Sequence, residues 1–292
     1  MLNPYDAFRM AWESLFFECP EVFSLSCLPG GSINEVYKVE SSNGQFVMKL
    51  NSLSKYPNMF STEAKGLMKL SESKTISCPE VIGVCELESH QILILAYISS
   101  GKRDKNFFED FGVRLAHLHR NTSTAFGLDH NNYIGRLPQI NHQEKKASDF
   151  FVNQRLLPQL NLAVANNSIN KEMRDKFDTL FFKLETLIPN EPISLIHGDL
   201  WNGNFLVGED GKVVLIDPAI AYGSRESELA MTLLFGGFDA SFYTSYHQEF
   251  PLKDNWKERV QLWNLYPLLV HLNLFGGTYL RDIEINLNKF LH

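Results

Sequence analysis

Apolar side chains recur along this chain with two different periods, and the change of period divides it. Residues 4–18 repeat at helical spacing, with Phe8, Trp12, Leu15 and Phe16 on one face and Pro4 suited to a first turn. From residue 22 the period falls to two. Residues 22–28 and 35–39 read as strands, and Asn43-Gly44 makes the turn into a third at 45–50. In that strand Phe46, Met48 and Leu50 take one face, and Val47 and Lys49 the other. A helix follows from about residue 61 to 70, with Ala64, Leu67 and Met68 as packing positions. Strands at 81–84 and 92–98 close this half.

Beyond Ser99-Ser100-Gly101 the period lengthens again. Phe107, Phe111, Leu115 and Leu118 mark one helix, and Met173, Phe177, Leu180, Leu184 and Leu187 mark another over 172–188, stopped by Pro189. His117 and His119 read as surface or capping residues, and His271 as a satisfied core histidine. Residues 126–139 break the pattern. Residues 193–196 form a short apolar run, the mark of a buried strand, and 205–207 with 213–216 read as a hairpin turning at Glu209-Asp210-Gly211. Ser224 is placed to cap a helix with Glu226 in its first turn. The C-terminal helices break at Gly276-Gly277.

Composition adds limits. A length of 292 residues, 44% hydrophobic and 21% charged, suits a globular chain of one domain or two lobes. A net charge of −7 argues against a general nucleic-acid or anionic-membrane binder. The four cysteines, Cys19, Cys27, Cys78 and Cys85, form no CxxC pair. Their scatter fits a reducing, cytoplasmic setting, and neither a signal peptide nor a membrane span is expected.

The chemistry gathers between residues 193 and 218. The first strand ends in His197-Gly198-Asp199, Asn204 follows Asp199 by five positions, and the hairpin ends in Asp217-Pro218. Two carboxylates and an amide in that order suit phosphoryl transfer. One carboxylate orients an attacking hydroxyl or takes its proton, while the other and the amide oxygen hold Mg²⁺ on nucleotide phosphates. The kinase catalytic loop and its metal-binding aspartate have the same spacing.

The full string HGDLWNGN, followed by IDPAIAYGSRESELAMTLLFGGF, closely resembles the fructosamine (ketosamine) 3-kinase family, and the likeness extends over nearly the whole chain. It implies an α+β, two-lobed protein-kinase-like fold, shared with aminoglycoside and choline phosphotransferases. A small antiparallel-sheet N-lobe would span residues 1–98 and bind nucleotide; a larger, mostly helical C-lobe would span 99–292 and carry catalysis and substrate. ATP and Mg²⁺ are the implied cofactors, with ATP in the cleft. Asp199 becomes the base or hydroxyl-orienting group, and Asn204 and Asp217 the metal ligands. Lys49 takes the position of the phosphate-contacting strand lysine, with Glu63 as its partner. Gly30, Gly31 and Ser32 would lie over the phosphates. Ala96, Tyr97 and Ile98 would meet the adenine through backbone atoms, although many relatives carry an acidic residue at the position of Ala96.

Trp201 and Asn202 stand beside Asp199 and are assigned to substrate; a Trp ring there suits a sugar face or a packed core. Residues 126–139 would enter a substrate-side insert, in which relatives often have tryptophans that this chain lacks. Gly198 replaces the arginine with which protein kinases read activation-loop phosphate, and no long activation loop follows, so constitutive action on a small molecule is expected. The implied reaction is phosphorylation of the C3 hydroxyl of a ketosamine, free or protein-bound, leading to deglycation. The alternatives are another small-molecule kinase of the aminoglycoside or choline type, and a nucleotide-binding pseudokinase. The sequence leaves the oligomeric state open.

Overall fold

The computed structural model describes residues 2–29 and 33–291, which fall into two compact units. Unit 1 comprises residues 1–102 and 206–217; unit 2 comprises 103–205 and 218–292. Strands dominate the first and helices the second, the α+β division that the two periods predict. Among the described residues no helix is long and apolar enough to cross a membrane.

Unit 1 is built on five antiparallel strands: β1 (Val22–Cys27), β2 (Glu35–Ser41), β3 (Gly44–Ser52), β4 (Val81–Leu87) and β5 (His90–Ala96). Their spatial order is β1-β2-β3-β5-β4, which puts β3 at the centre. Pairing β3 with β5 sets Met48 opposite Ile94 and Lys49 opposite Leu93. The alternation in β3 then has a physical consequence. Phe46, Met48 and Leu50 join Ile92 and Ile94 in a core covered by Ala7, Phe8, Ala11 and Trp12 of helix α1 (Pro4–Phe16). Phe16, expected on that buried face, is exposed; α1 stops there, with Phe17 in the left-handed region at φ 59°.

Helix α2 (Met59–Glu72) packs against β4 and β5. It starts two residues earlier than the periodicity suggests and buries Ala64 and Leu67, whereas Met68 faces solvent. The hairpin of Phe205–Val207 and Val213–Leu215 contributes residues 206–217 to unit 1. Leu215 N–H donates to Ser77 C=O at 2.8 Å, and Gly101 N–H donates to Val207 C=O at 3.0 Å. A Cβ on Gly101 would come within 2.0 Å of Gly208 O, so this contact needs glycine.

Unit 2 gathers its helices around Leu156, Leu160, Phe177, Leu268, Leu269 and Leu287. The expected helix over 172–188 is two: Lys171–Phe181 and a single turn, Leu184–Leu187. The C-terminal break falls at the expected glycines, just after Phe275, with a 3₁₀ turn at Gly277–Tyr279 joining Leu265–Phe275 to Leu280–Asn288. Residues 126–139, aperiodic in sequence, contain a small hairpin of Asn132–Ile134 and Leu137–Gln139. Strand Ile193–Ile196 lies at the centre of a three-stranded sheet, between Ala221–Gly223 and Thr122–Ser123.

Candidate active site

Unit 1 carries the first set of charged groups. Lys49, only 6% exposed, reaches off the sheet face opposite the α1 core. Its Nζ lies 2.5 Å from Glu63 Oε1 and 2.5 Å from Asp217 Oδ1. Burial alone would lower the Lys49 ammonium; the Asp217 and Glu63 carboxylates outweigh it and push the group up. Glu63 goes up as well, because burial outweighs the attraction of Lys49. Asp217 is half exposed and has φ 55°. A non-glycine residue is uncommon in that region, and aspartate is one of the few types that adopt it readily.

Of the expected hinge residues, Ala96 and Tyr97 spend their backbone N–H groups inside unit 1, on Glu80 C=O at 2.9 Å and Gln45 C=O at 3.2 Å. Tyr97 and Ile98 follow the end of β5 rather than extending it. Gly30, Gly31 and Ser32 lie outside the described residues.

Unit 2 carries the second set. The strand Ile193–Ile196 delivers His197, Gly198 and Asp199 to a sharp turn. Gly198 has φ 83°, and a Cβ there would lie 2.1 Å from Ala219 O, so the turn admits only glycine. Asn204, buried in the same loop, donates from Nδ2 to Asp199 C=O at 2.8 Å and to Asp199 Oδ2 at 2.9 Å. Both amide protons are thus spent on Asp199, and Oδ1 is the atom left to bind a cation. Trp201 is 36% exposed and meets Phe235 edge to face at 6.0 Å; Asn202 is exposed and lies against Gly237.

A buried carboxylate fixes the backbone of this loop. Glu228 is 2% exposed and accepts from His197 N–H at 3.1 Å and Gly198 N–H at 2.7 Å. It also pairs with His119 Nε2 at 2.8 Å, and His119 Nδ1 lies 2.7 Å from the Tyr246 hydroxyl. Burial would raise the Glu228 carboxyl, but the hydrogen bond and charge of His119, with His197 and the Gly198 N–H, hold it below the usual range. His119 is therefore a fully buried member of a polar chain, not the surface or capping residue its sequence context suggests. His117 does lie at the surface, 3.0 Å from Glu249. Glu226, expected to act on a helix dipole, is buried and bound to Arg259 and to Trp263 Nε1. Ser224 occupies the N-cap position without a side-chain cap bond.

Glu228, His119 and Tyr246 are not among the residues that the sequence marks as a site. The available signal was a second glutamate, two positions after Glu226, in a helix following the Asp217 segment. For a metal, oxygen donors suit Mg²⁺, and the Asp217 carboxylate and the Asn204 Oδ1 are of that type. Among the described residues no group of three or more His, Cys, Asp or Glu could hold a metal ion. With a nucleotide, Mg²⁺ takes its further donors from phosphate and water oxygens.

An aminoglycoside phosphotransferase solved with AMP-PNP and hygromycin B aligns over 97% of this chain and 96% of its own, at a TM-score of 0.66 and 13% identity. With the site residues on their strands and loops, that likeness defines a protein-kinase-like fold. Residues 13–292 match the fructosamine kinase family model, and the chain belongs to that family of phosphotransferases. A probable ketoamine kinase of Vibrio parahaemolyticus is 38% identical over 267 residues, covering 90% of this chain and 91% of that one. Mouse ketosamine-3-kinase is 28% identical, with 94% and 96% covered. A solved protein of Thermobifida fusca, assigned as a fructosamine-3-kinase, superposes at a TM-score of 0.86 and 30% identity over 97% of this chain and 98% of its own.

Proposed function

We propose that this protein transfers the γ-phosphoryl group of ATP to the C3 hydroxyl of a ketosamine, a sugar joined to an amine through a ketoamine. The observation that carries the reading is the Asp199–Asn204 lock in a HGDLWNGN loop, within a chain that matches the fructosamine kinase family from residue 13 to 292. Asp199 orients the acceptor hydroxyl and takes its proton. Lys49, steadied by Glu63, binds nucleotide phosphate, and Asn204 and Asp217 hold the metal. Mg²⁺, when bound, offsets the negative charge of the phosphates. Ile98 and the phosphate loop at Gly30, Gly31 and Ser32 complete the nucleotide site, and Trp201 and Asn202 contact the acceptor. Ala96 and Tyr97 have their N–H groups engaged, so they line the base with other atoms.

The chemistry of the product gives the reaction its purpose. C3 lies next to the C2 carbonyl, and hydroxide is a poor leaving group there. Phosphate is a good one. Loss of a C1 proton gives a C1=C2 enaminol. Its nitrogen lone pair then forms C1=N as the C1=C2 pair moves to C2=C3 and the C3–O bond breaks, expelling phosphate. Water adds to the C1=N carbon, and the C1–N bond breaks to release the amine and leave a carbonyl at C1. The protein need supply only the phosphoryl transfer; removal of the sugar follows in solution.

The test is to offer fructosyl-, ribulosyl- and erythrulosyl-amines with Mg-ATP and follow phosphorus NMR. A 3-phosphate should appear, then decay to inorganic phosphate with release of amine. Phosphate retained on a terminal hydroxyl, or no ATP use with any of the three, overturns the reading.

A further inference from the structure

Unit 2 contains a second feature that the roles above leave unused. A cavity of about 50 Å³ is lined by Gln139, Phe150, Arg155, Gly198, Trp263 and Tyr266. Gly198 is the residue before Asp199. A space of that size takes roughly four water-sized groups, about the hydroxylated end of a sugar and not the whole ring.

The walls of the cavity have a fixed hydrogen-bond polarity. Backbone carbonyls can only accept, and they set the sense of every amide in the network. Asn132 Nδ2 donates to Ile220 C=O at 2.9 Å, so Asn132 Oδ1 accepts. It accepts from Gln139 Nε2 at 2.8 Å and Asn141 Nδ2 at 2.9 Å. Gln139 Nε2 spends its other proton on Ala219 C=O at 3.0 Å. Gln139 is 2% exposed, and its Oε1 takes the Tyr266 hydroxyl proton at 2.7 Å. The Tyr266 oxygen is therefore locked. It can accept a further hydrogen bond but has no proton left to donate.

The opposite polarity comes from Arg155, in the π-helical turn Phe151–Leu156, a type of turn frequent at functional sites. Its guanidinium donates to Ile140 C=O, Gln154 C=O and Asn141 Oδ1, and no carboxylate pairs with it among the described residues. Three of five N–H donors are spent. Burial pushes the Tyr266 hydroxyl up, Arg155 opposes this, and the Asp199 charge raises it further, so Tyr266 and Asp199 feel one another. A cationic amine would meet Arg155 across the cavity; an uncharged hydroxyl meets a compatible donor and acceptor.

The geometry points to Tyr266 as a specificity-determining residue, whose locked oxygen accepts a hydrogen bond from one sugar hydroxyl other than C3 in the cavity beside the Asp199 loop. This rests on the ketosamine reading and goes further, because it selects among ketosamines by a hydroxyl donor at one carbon.

The experiment is a double-mutant cycle on kcat/KM, using the parent ketosamine and analogues with fluorine replacing each remaining hydroxyl in turn. Fluorine keeps the size and removes the proton. In the wild type one replacement should cost about tenfold to a hundredfold, the scale of a lost buried hydrogen bond. Tyr266→Phe should cost a similar factor on the parent and add nothing on that one analogue. Gln139→Met leaves Tyr266 its hydroxyl and frees the proton, so discrimination against the same analogue should shrink; it carries the test if Tyr266→Phe does not fold. Penalties that multiply at every position, as a purely structural Tyr266 would give, overturn the inference, as does unchanged discrimination in Gln139→Met. If the wild type phosphorylates no ketosamine, the proposed function fails instead, and the two failures are told apart by the wild-type assay.

Discussion

At the scale of single residues, environment decides chemistry. Lys49 is a lysine in a central strand, a position that normally excludes charge, and two carboxylates 2.5 Å away keep it there. Asp199 differs: its carboxylate accepts from Asn204 at 2.9 Å and stands in a half-buried loop. Asp199→Asn should lower turnover on the order of 10²–10⁴-fold, the usual scale for a lost general base. Mg-ATP affinity, measured by calorimetry, should change little, and near-normal turnover at saturating acceptor would remove Asp199 from its role. The cysteines divide in the same way. Burial pushes the Cys78 thiol up to about 12 and the Cys85 thiol to about 11, whereas Cys19 and Cys27 are exposed. A thiol reagent at pH 8 should label Cys19 and Cys27 quickly and the other two slowly. Equal rates for all four would mean that unit 1 opens readily. The loop that pairs Asp199 with Asn204 was legible because its spacing is local. The hydrogen bond from Tyr266 to Gln139 was not, because the two lie 127 residues apart.

At the scale of elements, the strand–turn–loop from Ile193 to Asn204 is held by the helix Arg225–Leu234 through Glu228. The strand and the turn were legible from Ile193, Leu195 and Ile196 followed by His-Gly-Asp. The clamp was not, since helical periodicity does not say which of Glu226 and Glu228 meets a loop and which meets Arg259. Glu228→Gln replaces one accepting oxygen with an N–H₂ that confronts a backbone donor. It should cost about 1–3 kcal/mol of stability at pH 7 and lower kcat more than the KM for ATP. The pH dependence has a definite sign. The folded Glu228 carboxyl lies below its ordinary value, so its stabilisation is full above the unfolded glutamate range near 4.3 and fades as pH falls through the lower folded value. The gap in urea midpoint between wild type and Glu228→Gln should therefore narrow from pH 7 toward pH 3. A gap that stays constant would assign the loss to packing rather than to the carboxylate.

At the scale of the molecule, each unit has its own core, one sealed by α1 on the sheet and the other by helices around Leu156 and Leu268. The α+β division was legible, because strand spacing dominates before residue 99 and helical spacing dominates after it, with short strands returning between 193 and 216. The allegiance of residues 206–217 was not: their partners, Ser77 and Gly101, lie more than a hundred positions back, and pattern carries no information at that range. That allegiance puts Asp217 in the same unit as Lys49 and Glu63. A ligand that binds only the folded state stabilises it by an amount that grows with its concentration, about 2.7 kcal/mol at a hundred times Kd. Mg-ATP should therefore raise the unfolding midpoint of the unit that holds these three residues, and part of that rise should require the metal. Asp217→Ala removes a proposed metal ligand but leaves the ammonium of Lys49 paired with Glu63. Thermal unfolding of this variant should show the same shift with ATP plus Mg²⁺ as with ATP plus a chelator, whereas the wild type should show a larger shift with Mg²⁺. A variant that keeps the full Mg²⁺-dependent shift would move the metal role away from Asp217, and a wild type with no nucleotide-dependent shift at saturating Mg-ATP would remove the nucleotide from unit 1.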